Sequence, residues 1–119
     1  KEVKAMENCI FCRIVNKQIP SKIVYEDENV LAFHDIDSKA PVHILIIPKE
    51  HIPSMNDINQ QNCNIVSHIF YAIPHIVEKL GVKGSGYRVV ANCGKDAGQT
   101  VDHLHFHILG GRSLSWPPG

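Results

Sequence analysis

The chain has 119 residues, 44% of them hydrophobic and 20% charged, which are the proportions of one ordinary globular domain and not of a disordered, collagen-like or coiled-coil chain. Twelve Lys+Arg balance twelve Asp+Glu, so the basic excess of a nucleic-acid binder is missing and no nucleic-acid partner is expected. The longest apolar run, Ile44-Leu45-Ile46-Ile47, is strand-sized against the roughly 18 residues of a membrane span, so no membrane partner is expected either.

Residues 1–8 read as an N-terminal extension. Its opening, Lys1 to Glu7, carries no apolar stretch of secretory type, and Met6 is a candidate natural start. The apolar positions Ile10, Phe11, Ile14 and Val15 predict a short helix within Cys9 to Ile19, capped by Asn8 and stopped by Pro20. Lys22–Glu26 and Val30–Asp35 flank the polar Asp27-Glu28-Asn29 and predict a β-hairpin. His43 to Ile47 has the look of a buried strand closed by Pro48.

A long helix is predicted from about Asn59 to Leu80, because Ile65, Val66, Ile69, Phe70, Ile73, Ile76, Val77 and Leu80 follow i, i+3, i+4 spacing before Gly81. Pro74 lies inside that pattern and should kink the helix or split it. Two more strands, Tyr87–Asn92 and His103–Leu109, are joined by the glycine-punctuated loop from Gly94 to Thr100. One long and one short helix with about five strands, mostly in antiparallel meander order, make an α+β domain over residues 9–119.

Four cysteines are unevenly placed: Cys9 and Cys12 form a Cys-x-x-Cys pair, which in a reducing compartment reads as metal or redox chemistry, while Cys63 and Cys93 stand apart as buried or spectator thiols. The cytoplasm is the expected location, with the nucleus second.

Histidine is over-used, at eight residues, and three fall in one pentapeptide. On a strand, His103, His105 and His107 share one face about 6.5–7 Å apart, with Leu104, Phe106 and Ile108 on the other. That spacing suits flanking a phosphate-sized group, and an imidazole is a good nucleophile toward phosphorus near neutral pH. A metal-binding stripe or a pH-sensitive surface would show the same alternation. The preceding loop favours an anion, since such turns can present successive backbone N–H groups.

His-Leu-His-Phe-His-Ile-Leu at 103–109 resembles the His-x-His-x-His-x-x motif of the histidine triad superfamily, x being apolar. Phe33-His34-Asp35-Ile36, Ala40-Pro41-Val42-His43, Ile47-Pro48-Lys49-Glu50-His51, Gly98-Gln99-Thr100-Val101 and Leu109-Gly110-Gly111-Arg112 stand in family order, and Ser115-Trp116-Pro117-Pro118-Gly119 resembles the ending of its nucleotide-binding branch. The resemblance covers Cys9 to Gly119.

It implies a purine nucleoside phosphoramidase that cleaves adenosine 5′-phosphoramidates and acyl-adenylates through a nucleotidyl-His105 intermediate. His107 and the supporting His43 stand beside the nucleophile, and Thr100 offers a hydroxyl where the branch usually has Ser. Asp35 is the implied ribose binder, which suits a carboxylate facing two vicinal hydroxyls. Phe33, His34, Ile36, Ile14 and Leu45 would wall the base, although periodicity alone would place several of them in the core. Asn92, Gly98, Gln99, Phe106 and Trp116 complete the implied nucleotide contacts, and Arg112 receives no catalytic role.

The resemblance also implies a structural Zn2+ held by Cys9, Cys12, His51 and His103, no organic cofactor, and a homodimer whose two sheets form one. The rival readings are a nucleotide- and zinc-binding interaction protein without turnover, and a dinucleoside polyphosphate hydrolase of another branch.

Overall fold

The computed structural model describes residues 8–119, so the expected N-terminal extension falls, apart from Asn8, outside the described residues. Five antiparallel strands form one sheet: β1 (Ile23–Glu26), β2 (Val30–His34), β3 (Val42–Pro48), β4 (Tyr87–Val90) and β5 (Phe106–Gly110). Their spatial order is β1-β2-β3-β5-β4, so the meander holds through β3 and the returning hairpin inserts β5 beside it.

The β1–β2 turn is set by Asp27, whose Oδ1 accepts from the amides of Asn29 and Val30 at 2.7 and 2.8 Å. Its Oδ2 accepts from the Tyr25 hydroxyl at 2.7 Å. Alternation then sorts β3: Ile44 and Ile46 face one side of the sheet, Leu45 and Ile47 the other. Both faces are covered, which is why this strand reads as an unbroken apolar run.

The first face lies under α2 (Asn64–Lys79), which buries Ile65, Ile69, Ala72, Ile73, Ile76 and Val77 against Val30, Ala32, Ile44, Ile46 and Ile108. Each fully buried Ile there contributes about 1.5–3 kcal/mol of transfer free energy. The helix begins five residues later than the apolar spacing predicts. Asn59 Oδ1 accepts from the amides of Gln61 and Asn62, and Asn62 Oδ1 accepts from the Asn59 amide, so residues 59–62 form their own turn instead of a helix start. Pro74 neither ends nor splits the helix, which runs unbroken through it. The carbonyl its ring deprives of a donor belongs to Phe70, on an exposed part of the helix.

The second face carries α1 (Ile10–Val15), whose Phe11, Cys12, Ile14 and Val15 pack on Leu31, Phe33, Leu45 and Ile47. Six residues cannot sustain a helix in water, so tertiary packing holds it. Its N-cap is Cys9, not Asn8: Cys9 Sγ accepts from the Cys12 amide at 3.3 Å. It stops at Val15, short of Ile19, because Lys17 takes a positive φ of 62° and the Gln18 amide closes back on the Arg13 carbonyl. The cleft and the Cys/His cluster described below lie on this α1 face.

Candidate functional site

Between α1, the end of β2 and the β3–β5 pair lies a cleft of about 780 Å3, within the usual range for small-molecule sites. Sheet register builds its floor. Phe33 pairs with Leu45 and Leu45 with His107, so their side chains form one row, and His43 opposite Leu109 lies a step along. His105 precedes β5, which begins at Phe106, so the predicted strand over 103–109 is shorter at its start. The alternation persists nonetheless: Leu104, Phe106 and Ile108 join the helix-side core, while His105 and His107 line the cleft.

Hydrogen bonds to backbone atoms fix the proton on each imidazole. His105 Nδ1 lies 2.7 Å from the His103 carbonyl, which can only accept, so Nδ1 carries the hydrogen and Nε2 keeps its lone pair. The Lys39 amide donates to His43 Nδ1 at 3.0 Å, so the proton of a neutral His43 sits on Nε2. That Nε2–H faces His107 Nδ1 at 2.9 Å and Asp35 Oδ2 at 3.3 Å. His107 Nδ1 is therefore the acceptor, and its Nε2 carries a hydrogen. A nucleophile-ready nitrogen on His105 and a proton donor on His107 thus share one cleft, with ring centres 5.3 Å apart.

Burial favours the neutral form of both His107 and His43. Burial, then the neighbouring His105 and His43, push His107 down to about 4. Burial lowers His43 as well, with Asp35 working against it. Phe11 packs edge-on against His105 at 5.2 Å, and its ring closes the base of the cleft.

Cys9, Cys12, His51 and His103 form a second cluster directly beneath. Their ligand atoms all lie within 4.8 Å of one another, and all but His51 are buried. His103 Nδ1 is 3.2 Å from Cys9 Sγ and 3.6 Å from Cys12 Sγ, while Cys12 Sγ is 3.2 Å from His51 Nδ1. His103 Nε2 lies 2.9 Å from the Pro48 carbonyl, which puts its hydrogen there and turns the Nδ1 lone pair toward the sulfurs. Two sulfurs and two imidazole nitrogens so arranged could hold a metal, and a carbonyl acceptor on the far ring nitrogen is the usual outer support of a His ligand.

Of the residues expected at a nucleotide, the structure brings Ile14, Phe33, His34, Asp35, Ile36, His43, Leu45, Asn92, Thr100, His105 and His107 to the cleft wall. Others lie elsewhere. Phe106 is turned by strand alternation to the helix side, where it meets Phe70 edge-on at 5.6 Å. Trp116 is 79% exposed and sits beside Arg88, outside the cleft.

Gly98 and Gln99 do not line the cleft, and their amides are bonded within the loop to the carbonyls of Lys95 and Gly94. Gln99 is a brace. Its Oε1 accepts from the Gly94 amide, and its Nε2 donates to the carbonyls of Pro53 and Val101. Three amides of the loop expected to cradle an anion, those of Gly94, Gly98 and Gln99, are thus bonded within the loop itself. Sequence reasoning missed Ile10, Phe11, Ile19, Val90 and Leu109 in the wall and the Lys39 amide behind His43. Adjacency of Phe11 to Cys12 was the only local hint of the first group.

The chain is thus an α+β protein with one antiparallel sheet and two imidazoles of opposite polarity side by side in a mostly apolar cleft. The HIT domain model matches residues 16–114, and the chain belongs to that family. An uncharacterized HIT-like protein of Buchnera aphidicola subsp. Acyrthosiphon pisum (strain APS) is 47% identical over 108 residues, 91% of this chain and 95% of that one. A HIT family hydrolase from Legionella pneumophila Philadelphia 1 is 45% identical, covering 94% of this chain and all of its own, with a TM-score of 0.91. A histidine triad nucleotide-binding protein from Candida albicans is 33% identical at a TM-score of 0.80, covering 92% of this chain and 83% of its own.

Proposed function

We propose that this chain is a hydrolase of purine nucleoside 5′-phosphoramidates and acyl-adenylates, acting through a nucleotidyl-His105 intermediate. The observation that carries the reading is the His105 Nδ1–His103 carbonyl bond of 2.7 Å, which leaves a lone pair on Nε2 beside the Nε2–H of His107. In the first step the His105 Nε2 lone pair bonds to the α-phosphorus and the P–N bond breaks. The His107 Nε2–H donates a hydrogen bond to the departing nitrogen, which takes its proton from solvent as it leaves as the amine. In the second step a water oxygen bonds to phosphorus, its proton returns to solvent, and the P–His105 bond breaks to release the nucleoside monophosphate. Both rings end as they began.

Asp35 supports ribose recognition: Oδ1 accepts only the Asp37 amide at 2.8 Å, which leaves carboxylate lone pairs for the vicinal hydroxyls. Ile14, Ile19, Phe33 and Ile36 offer apolar surface for the flat base. Thr100 lies in the wall, where it offers a hydroxyl near the leaving group and an extra methyl that would narrow the space there. The hydrolase and nucleotide-binding relatives support this assignment.

We further propose Zn2+ as the metal of the Cys9, Cys12, His51 and His103 cluster. With four protein ligands it would be structural, tying α1 to the sheet and holding His103 under the nucleophile. The working unit is a homodimer with a joined sheet, supported by the exposed Phe70 and Tyr71 on α2 and Tyr87 on the edge strand β4. Trp116 then reaches the partner subunit, which accounts for its place outside this chain's own cleft.

The test is amine release from an adenosine 5′-phosphoramidate by the wild type and His105→Ala at matched metal content. The wild type turns over, and the variant loses several orders of magnitude. Binding of adenosine monophosphate without release by either protein would make the chain a nucleotide-binding module instead.

A further inference from the structure

The polarity of the imidazole pair depends on a backbone atom in an exposed loop, and that loop has an anchor. Residues 36–41 run between β2 and β3, and most of their side chains are exposed. From this loop the Lys39 amide donates to His43 Nδ1 and so places the His43 proton on Nε2. The carbonyl of the same residue accepts from Arg112 at 2.8 Å, through the far guanidinium nitrogen, while the other nitrogen donates to the Ser113 carbonyl at 2.9 Å.

Arg112 arrives there because β5 ends in Gly110 and the chain turns at Gly111, which takes a φ of +90°. A Cβ on Gly111 would lie 2.8 Å from Pro41 Cβ, so the chain after β5 presses directly on the loop that carries Lys39. The loop is thus held at two points. Asp35, at its start, donates its amide to the His43 carbonyl, and Arg112 holds its middle.

We propose that Arg112 is a positioning residue for the histidine pair, acting through Lys39: its bond to the Lys39 carbonyl holds the loop so that the Lys39 amide selects the Nε2–H tautomer of His43, which in turn makes His107 a proton donor at Nε2. The kinetic consequence rests on the hydrolase reading given above, whereas the tautomer does not. Released from Arg112, the loop loses the donor to His43 Nδ1. His43 then keeps only one of the two contacts that select its tautomer, the Asp35 carboxylate 3.3 Å from Nε2, and samples the opposite form, in which Nε2 accepts and His107 must place its proton on Nδ1. His107 has no proton on Nε2 in that state and cannot donate a hydrogen bond to the leaving group.

The test uses the metal-loaded full chain as wild type, Arg112→Ala and Arg112→Lys. Two-bond 1H–15N imidazole spectra at about pH 7.5 report the tautomer of His43 and His107 directly, and amine release from an adenosine 5′-phosphoramidate reports the consequence. The wild type shows Nε2–H at both rings. Arg112→Ala shifts the nitrogen resonances of both toward mixed tautomers and lowers kcat about tenfold, with KM held within about twofold. Arg112→Lys, which keeps one cationic donor for the carbonyl, recovers most of both. His43 and His107 nitrogen shifts unchanged in Arg112→Ala would overturn the proposal, whether or not the protein cleaves the substrate. Shifted tautomers in a protein whose wild type does not turn over would sustain the positioning role and overturn the hydrolase reading alone.

Discussion

Acidification from about pH 7.5 to about pH 5 charges His107 in the unfolded chain but not in the folded one. Burial and its imidazole neighbours hold the folded ring down to about 4, against the ordinary value of 6.5. The unfolded chain therefore binds the proton first, and stability falls as pH drops through 6.5, with the loss complete near pH 4. At about pH 5 the unfolded ring is some thirty-fold biased toward the charged form while the folded ring is nearly all neutral, a difference of about 2 kcal/mol. His43, lowered by burial in the same direction, adds to it.

The carboxylates act in another window. Glu26 is held below its usual range by bonds from Lys49 and Lys17. Burial pushes Asp27 up, but the Tyr25 hydroxyl and the amides of Asn29 and Val30 outweigh it and hold it low. Their contribution is present above the unfolded carboxylate pKa and is lost only as pH falls below about 4. Urea unfolding of wild type and His107→Gln at both pH values, with metal content matched, isolates the effect. The wild type loses about 2 kcal/mol more than the variant over that interval. Parallel losses would show that His107 is as easily protonated folded as unfolded, and the neutral-pair geometry would fall with that result.

The Cys9, Cys12, His51 and His103 cluster takes up one equivalent of Zn2+ per chain, and Cys12→Ser abolishes uptake, as read by metal analysis after gel filtration. At free Zn2+ a hundredfold above Kd, unfolding by urea is shifted by about 2.7 kcal/mol in the wild type and not in the variant. Gly111→Ala combines an unfavourable positive φ with a Cβ inside contact distance of Pro41, so it costs about 2 kcal/mol or more and lowers Tm by roughly 6–12 °C in a thermal melt.

The elements were legible wherever periodicity and turn chemistry agreed. The Asp27 turn and the apolar face of α2 are written in single side chains that act locally, and so are the strands that flank them. Both helix starts were misplaced because the deciding bonds come from less usual donors and acceptors: a cysteine sulfur caps α1, and paired Asn side chains divert residues 59–62.

The cleft divides in the same way. His105, His107, His43 and Asp35 come together as the motif order suggests. Gln99 has a local pattern equally compatible with the cleft or the frame, and the structure puts it in the frame. Strand alternation, by contrast, already turned Phe106 away from the histidines, against the contact the resemblance implied. Lys39 was invisible because its role is played by a backbone N–H, which every residue but proline possesses and no sequence pattern marks.

That last point bears on how the chain can change over generations. The proton on His105 is placed by the His103 carbonyl, and the proton on His43 by the Lys39 amide. Main-chain atoms survive almost any codon change, so point substitutions at 39 keep the amide donor to His43 even when they remove the Lys39 charge that helps lower its pKa. Proline is the exception at 39, since it alone deletes the donor. Side chains of the outer loop can accordingly change while the main-chain donor persists, so what enters the cleft can vary while the tautomer of His43 is kept.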